Sequence, residues 1–470
     1  MTVRELCALL RTPARSKAVK AMASASGGTV CGVAGSSAAV MLGMLPAEAG
    51  RPVLVVGDSL DDAGYLYHDL CRVGEGGEAA VAMFPSGYKR DIKYGQADEA
   101  ARILRTEALN RIADTSGPLR YVVSYPEALA ERVASVEELS DNTLRLRKGE
   151  SHDPQEIVGW LRSKGFAETD YVFEPGQFAL RGSILDIFAY SSELPVRIDF
   201  FGDEVDSVRT FNVETQLSET QLDDVAVTAQ SAGGRSGRLS LLDFMRTDTI
   251  VALRNESFTV ERLRAVAADE MSGSTLMADE GDACALDNVI DPDAFAAVLA
   301  TRCRVAFTAA AAAETSAPSA AGRRRSSPML DFQCSPQGIY HKNFDLISES
   351  FTSLAADGYK IYILSDNDKQ FERLRVIFED RGDKIDFTAV DGTLHEGFVD
   401  HAMKICAFTD HQIFDRFHKY TLKSDRARSG RLALSLRELQ QIEVGDYIVH
   451  VDHGVGKFAG LMRTDVGGRM

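Results

Sequence analysis

The chain has 470 residues, 45% hydrophobic and 26% charged, a soluble globular composition too long for one core and suited to roughly three or four domains. A formal net charge of −17 disfavours unspecific binding to nucleic-acid phosphates, which requires clustered Lys and Arg. No apolar run is long enough to cross a bilayer, and the basic N-terminal residues Arg4, Arg11, Arg15, Lys17 and Lys20 lead into no signal-peptide core. The seven cysteines (Cys7, Cys31, Cys71, Cys284, Cys303, Cys334, Cys406) are scattered without a C-x-x-C pair, which fits reduced cytosolic thiols better than a zinc site.

From about residue 21 to 136 the pattern predicts an α/β unit. Residues 29–33 read as a short apolar strand, then a glycine turn, then an apolar helix over 40–45. Strand, turn and helix form the layout of a phosphate-binding loop, here Gly32, Gly35, Ser36, Ser37, Ala38 and Ala39. Such a loop needs a Lys for the β- and γ-phosphates and a hydroxyl for magnesium; Ala38 and Ala39 stand in those places. An unrelated βα turn is the other reading, and neither supports ATP chemistry here. Residues 51–57 are a fully buried parallel strand, followed by a helix over 60–71. Residues 80–84 and 121–124 are further strands. A helix over 96–112 carries Ala100, Ile103, Leu104, Ala108 and Ile112 at helical spacing.

Residues 137–213 read as a second domain. A helix over 154–164 presents Ile157, Trp160 and Leu161 on one side, with Trp160 in the core. In residues 196–201 the side chains alternate: Val196, Ile198 and Phe200 share one face, and Arg197, Asp199 and Phe201 the other. Gly202-Asp203 marks a tight turn into the next strand. The mixed face has two readings: a protein-binding hot spot, or a surface sheet whose Arg and Asp pair across strands.

Residues 214–314 return to mixed α/β, with strands near 249–253 and 304–307. Residues 315–328, TSAPSAAGRRRSSP, form a low-complexity linker whose Arg323, Arg324 and Arg325 read as solvated. A compact α/β piece over 329–430 follows, with strands at 359–364 and 405–409 and a helix at 368–381. Asp410 reads as a helix N-cap rather than an acid/base or metal partner of His411 and His418. Residues 436–470 open two strands about a glycine turn; His450, Asp452 and His453 lie close in sequence, yet 452 and 453 point to opposite faces, which argues against a shared metal.

The runs Arg181-Gly182-Ser183-Ile184-Leu185-Asp186-Ile187-Phe188, Ser192 to Arg197 and Asp199 to Phe211 closely resemble the module of bacterial transcription-repair coupling factors that is similar to the excinuclease B subunit. VGDYIVHVDHGVGKFAGL resembles the start of their RNA-polymerase-interacting domain. The resemblance implies a multidomain α/β fold: a degenerate P-loop helicase-like domain, an inserted α+β binding domain, a small α/β spacer and the opening of a Tudor-like β-barrel. It implies that Arg181, Arg197 and Phe201, on a solvated face, bind the excinuclease A subunit (UvrA), and that the completed C-terminal domain binds the β subunit of RNA polymerase. The short stretch between the strand at 80–84 and the helix at 96–112 carries only Tyr88 and Tyr94 where the excinuclease B subunit has a DNA-clamping tyrosine hairpin. The chain therefore reads as the N-terminal part of a longer cytoplasmic protein with no membrane partner. No cofactor is expected in this segment. ATP, magnesium and double-stranded DNA belong to a translocase motor elsewhere in the family's full length. The alternative is a nucleotide-dependent nucleic-acid enzyme resembling the helicase-like damage-recognition subunit.

Overall fold

The computed structural model describes residues 1–89, 96–97, 99–190, 192, 194–213, 215–229, 239–277, 289–309, 328–416, 445, 447–450 and 454–457. The chain forms two units, Met1–Tyr420 and Thr421–Met470.

Seven parallel strands make the host sheet of the first unit. In spatial order they are Met329–Asp331, Gly27–Cys31, Cys303–Phe307, Ile250–Leu253, Val53–Val56, Tyr121–Ser124 and Val81–Met83. Val53–Val56, Tyr121–Ser124 and Ile250–Leu253 are buried at every position, because helices cover both faces of a parallel sheet. The helix Ser37–Ala49 buries Val40, Met41, Leu42 and Leu45, apolar nearly all round as a core helix must be. Strands on both flanks of the 137–229 region interleave in this one sheet, so that region is an insertion.

The insertion hangs on a neck. Val133 and Leu239 exchange backbone hydrogen bonds of 2.8 and 2.9 Å, and Thr143–Arg147 pairs antiparallel with Asp224–Thr228. Beyond the neck lies a six-stranded sheet in the order Ser218–Leu222, Glu204–Phe211, Val196–Phe201, Ile184–Phe188, Gln177–Arg181, Ala167–Glu168. The helix Pro154–Ser163 starts where Asp153 accepts the Gln155 amide and Pro154 presets the first turn. Its Ile157, Val158 and Leu161 pack on Phe178, Leu185, Ile187, Val196, Ile198 and Phe200. Trp160 only borders that core, partly buried. The domain edge expected at residue 213 falls later, beyond Thr228, because Ser218–Leu222 and Asp224–Thr228 belong to the insertion.

A five-stranded sheet follows, ordered Cys334–Pro336, Phe398–Asp400, Ile405–Thr409, Lys360–Ser365, Thr388–Asp391. One face carries the helices Phe344–Ala356 and Asp368–Asp380 over Ile361, Ile363, Cys406 and Phe408. The other buries Val3, Leu6 and Leu10 of the helix Val3–Leu10 together with Val40 and Val73 of the host domain. Arg15 and Asp400, both buried, pair at 2.7 Å across the same junction. The separate 329–430 domain of the sequence reading is therefore corrected in two ways. Its first strand, Met329–Asp331, extends the host sheet, and the N-terminal helix completes its core. The linker before it, residues 315–327, lies outside the described residues. The Asp410 expectation also changes: Thr409 occupies the N-cap position, and Asp410 sits in the first turn accepting from Ser365 and Arg416. His418 lies outside the described residues.

The second unit shows an antiparallel hairpin, Tyr447–His450 with Gly454–Lys457. His450 is on its first strand; Asp452 and His453 lie outside the described residues. No helix is long and apolar enough to cross a membrane among the described residues.

Candidate protein-docking site

The insertion's sheet has two unlike faces because each strand alternates. Val196, Ile198 and Phe200 enter the core while Arg197, Asp199 and Phe201 face the other way. On neighbouring strands the same outer face carries Ala179 and Arg181, then Ile184, Asp186 and Phe188, then Arg209 and Phe211. Registers set Asp186 directly opposite both Ala179 and Arg197. A small apolar cluster of Val172, Ala179, Phe188 and Phe211 closes one end of the face.

Asp186 is fully buried and holds both arginines. Arg197 Nε donates to its Oδ1 at 2.7 Å and Arg197 Nη2 to its Oδ2 at 2.9 Å, a bidentate fork, while Arg181 Nη2 donates to Oδ2. Arg197 lies over the Phe211 ring at 4.4 Å and Arg181 over Tyr171 at 4.6 Å. The hydrogen bonds that Arg197 donates to Asp186 hold its guanidinium pKa above the ordinary value. Arg209 donates to Asp199, whose other donor is Ser207. Both sequence readings of this face thus meet in one place: its charges pair across strands, and Phe201 stays in solvent while Phe188 and Phe211 are buried.

Phe201 is 82% exposed at the hairpin tip, where Gly202 takes a φ of +63° to close the turn. Tyr171 and Phe173 are also exposed, on either side of the buried Val172. The expected solvated trio therefore divides. Phe201 is open, Arg181 is partly covered, and Arg197 keeps only 15% of its side chain in solvent. The pull of a buried carboxylate draws the arginines in against the cost of desolvating them. The sequence reading passed over Asp186, although the alternation Ile184-Leu185-Asp186 already placed a carboxylate on the arginine face.

The glycine loop lies in the host domain. Gly32 and Gly35 have φ of +65° and +50°. Ser37 Oγ accepts the Ala34 amide at 2.8 Å, and the amides of Ser37 and Ala38 close turns onto Ala34 and Gly35. Ala38 and Ala39 are buried. Ser36 donates its hydroxyl to Asp69, and residues 395–397 of the third sheet's loop rest directly on this turn. Among the described residues no group of three or more His, Cys, Asp and Glu could hold a metal ion.

Residues 144–232 match the UvrB interaction domain, and residues 442–470 match the CarD-like/TRCF RID domain. The chain is 21% identical over 530 residues to the transcription-repair-coupling factor of Bacillus subtilis (strain 168), covering 93% of this chain and 42% of the relative. It is 22% identical over 512 residues to that of Staphylococcus aureus (strain bovine RF122 / ET3-1), again 93% of this chain and 42% of the relative. The chain is similar to the transcription-repair-coupling factors over most of its length. It spans 42% of the length of either relative. The stretch matched to the UvrB interaction domain begins within the neck strand Thr143–Arg147 and ends shortly after its partner Asp224–Thr228, so the match covers the folded insertion.

Proposed function

We propose that this chain is the docking part of a coupling factor, and that the insertion's outer face binds the excinuclease A subunit. The observation that carries the reading is the exposed Phe201 on the same sheet face as the partly exposed Arg181, in the region matched to the UvrB interaction domain. Phe201 serves as the apolar anchor and Arg181 offers its remaining donors to an acidic partner, while Arg197 shapes the face from beneath. The Tyr447–Lys457 hairpin is the opening of a Tudor-like polymerase-interacting barrel that engages the polymerase β subunit, supported by the match over residues 442–470. The protein works in the cytoplasm, and translocation on double-stranded DNA driven by ATP and magnesium belongs to sequence outside these residues. The host domain is a helicase-like fold with a degenerate phosphate loop that takes no nucleotide. Against the alternative of a nucleotide-dependent enzyme weighs the loop 395–397, which occupies the approach to Ser36. The test is capture of the cognate excinuclease A subunit by this chain and by its Phe201→Ala variant. Capture by the wild type and its loss in the variant are expected; equal capture by both would assign the docking elsewhere.

A further inference from the structure

The turn at Gly35–Ser36 is occupied from outside its own domain. The Ser36 amide donates to the Glu396 carbonyl at 3.2 Å, and the Glu396 amide donates to Ser36 Oγ at 2.9 Å. A methyl group on Gly35 would stand 2.6 Å from the Gly397 carbonyl oxygen, so the two backbones touch. His395 is fixed on three sides. Its amide donates to Asp69 Oδ1 at 2.8 Å, its ring stacks on Tyr65 with centroids 3.3 Å apart, and its carbonyl accepts from His411 Nε2 at 2.8 Å. A backbone carbonyl thus sits on an amide at the start of the helix Ser37–Ala49, the kind of place where a helix N-terminus receives an anion's oxygen.

We infer that residues 395–397 are a tethered occupant of the glycine loop, and that their seating is an acid-released latch between the host sheet and the five-stranded sheet. The groups facing the His395 ring decide the sign. The helix Leu60–Val73 contributes Asp62, Tyr65, His68 and Asp69, the short helix Asp410–Ile413 contributes His411, and the loop itself contributes Glu396. Arg254, paired with Asp62, faces Glu396 from the end of a host strand. Burial outweighs the nearby carboxylates and holds the His395 imidazole below its ordinary value, so the seated loop carries it neutral. Seating is complete above the ordinary histidine value and weakens as pH falls through it, because the released loop binds the proton more readily. Glu396 acts in the opposite sense. Burial and then Asp69 push its carboxyl up, so its ionised form at neutral pH opposes seating.

Amide exchange of the full chain at pH 7.5 and 5.5, corrected for intrinsic rates, tests this. Protection of Ser36 and Glu396 is expected to fall together at the lower pH, by no more than about tenfold, the ceiling for one histidine. His395→Phe keeps a ring over Tyr65 without a titrating proton and should flatten that fall. Glu396→Gln should raise protection at pH 7.5. The latch is refuted by wild-type protection that does not change with pH, by a His395→Phe profile matching the wild type, or by Ser36 and Glu396 responding independently.

Discussion

Asp186 holds one edge of the Arg197 guanidinium with both carboxylate oxygens while carrying Arg181 on one of the same oxygens, so a single buried carboxylate sets two side chains of the docking face. Removing it leaves two guanidiniums drawn inward without their hydrogen-bonded counter-charge. We expect Asp186→Ala to destabilise the insertion by about 3–5 kcal/mol. Arg197→Ala, which strips the carboxylate of its fork, should cost a similar amount. Urea unfolding followed at Trp160, which borders this core, measures both; losses under about 1 kcal/mol would place the network among ordinary surface pairs.

Phe201 should behave in the opposite way. With its ring in solvent, Phe201→Ala is expected to change stability by less than about 0.5 kcal/mol. It should nevertheless cost about 1–4 kcal/mol of binding to the excinuclease A subunit. Calorimetry of the two partners separates this anchor from the arginines, whose replacement lowers folding and binding together.

Restoring the missing loop chemistry should not restore a nucleotide site. We expect the double variant Ala38→Lys, Ala39→Ser to remain without measurable magnesium-ATP binding, because both new side chains start from buried positions and the Ser36 amide is already taken. Titration with a fluorescent ATP analogue checks this; micromolar binding would show that the lost Lys and hydroxyl were the whole obstacle.

Burial pushes the thiols of Cys334 and Cys406 up to about 12 from an ordinary value of 9.0. The unfolded chain therefore releases these protons first, and folding stability is whole below the ordinary value and falls as pH rises above it. Iodoacetamide at pH 8 should modify both cysteines far more slowly in the native chain than in guanidinium, as read by peptide mass spectrometry.

The strands of the host sheet were legible because full burial on both faces writes continuous apolar runs, as in Val53–Val56 and Ile250–Leu253. The outer face of the insertion was legible from alternation alone, down to Arg197, Asp199 and Phe201. What alternation could not tell is that the fully buried Asp186 would pull the arginines out of solvent; that depends on register between strands. The seating of residues 395–397 on Ser36 was beyond reach for the same reason, since the partners lie 360 residues apart and neither carries a local pattern. Residues 3–10 were passed over because an isolated amphipathic helix does not say which sheet it will cover.

The neck at Val133 and Leu239 has a consequence for how such a chain tolerates change. The two points where the insertion leaves and rejoins its host are already within one hydrogen bond of each other. Beyond that closed pair the host helix Glu99–Ala113 also touches the insertion, Asn110 donating to Thr228 Oγ1 at 2.7 Å, but the ends have no loop-closure gap to span if the intervening residues are exchanged or removed. The docking domain is in this sense a cassette: a short turn joining 133 to 239 should leave the seven-stranded sheet standing, and a foreign domain with adjacent termini could be carried in its place.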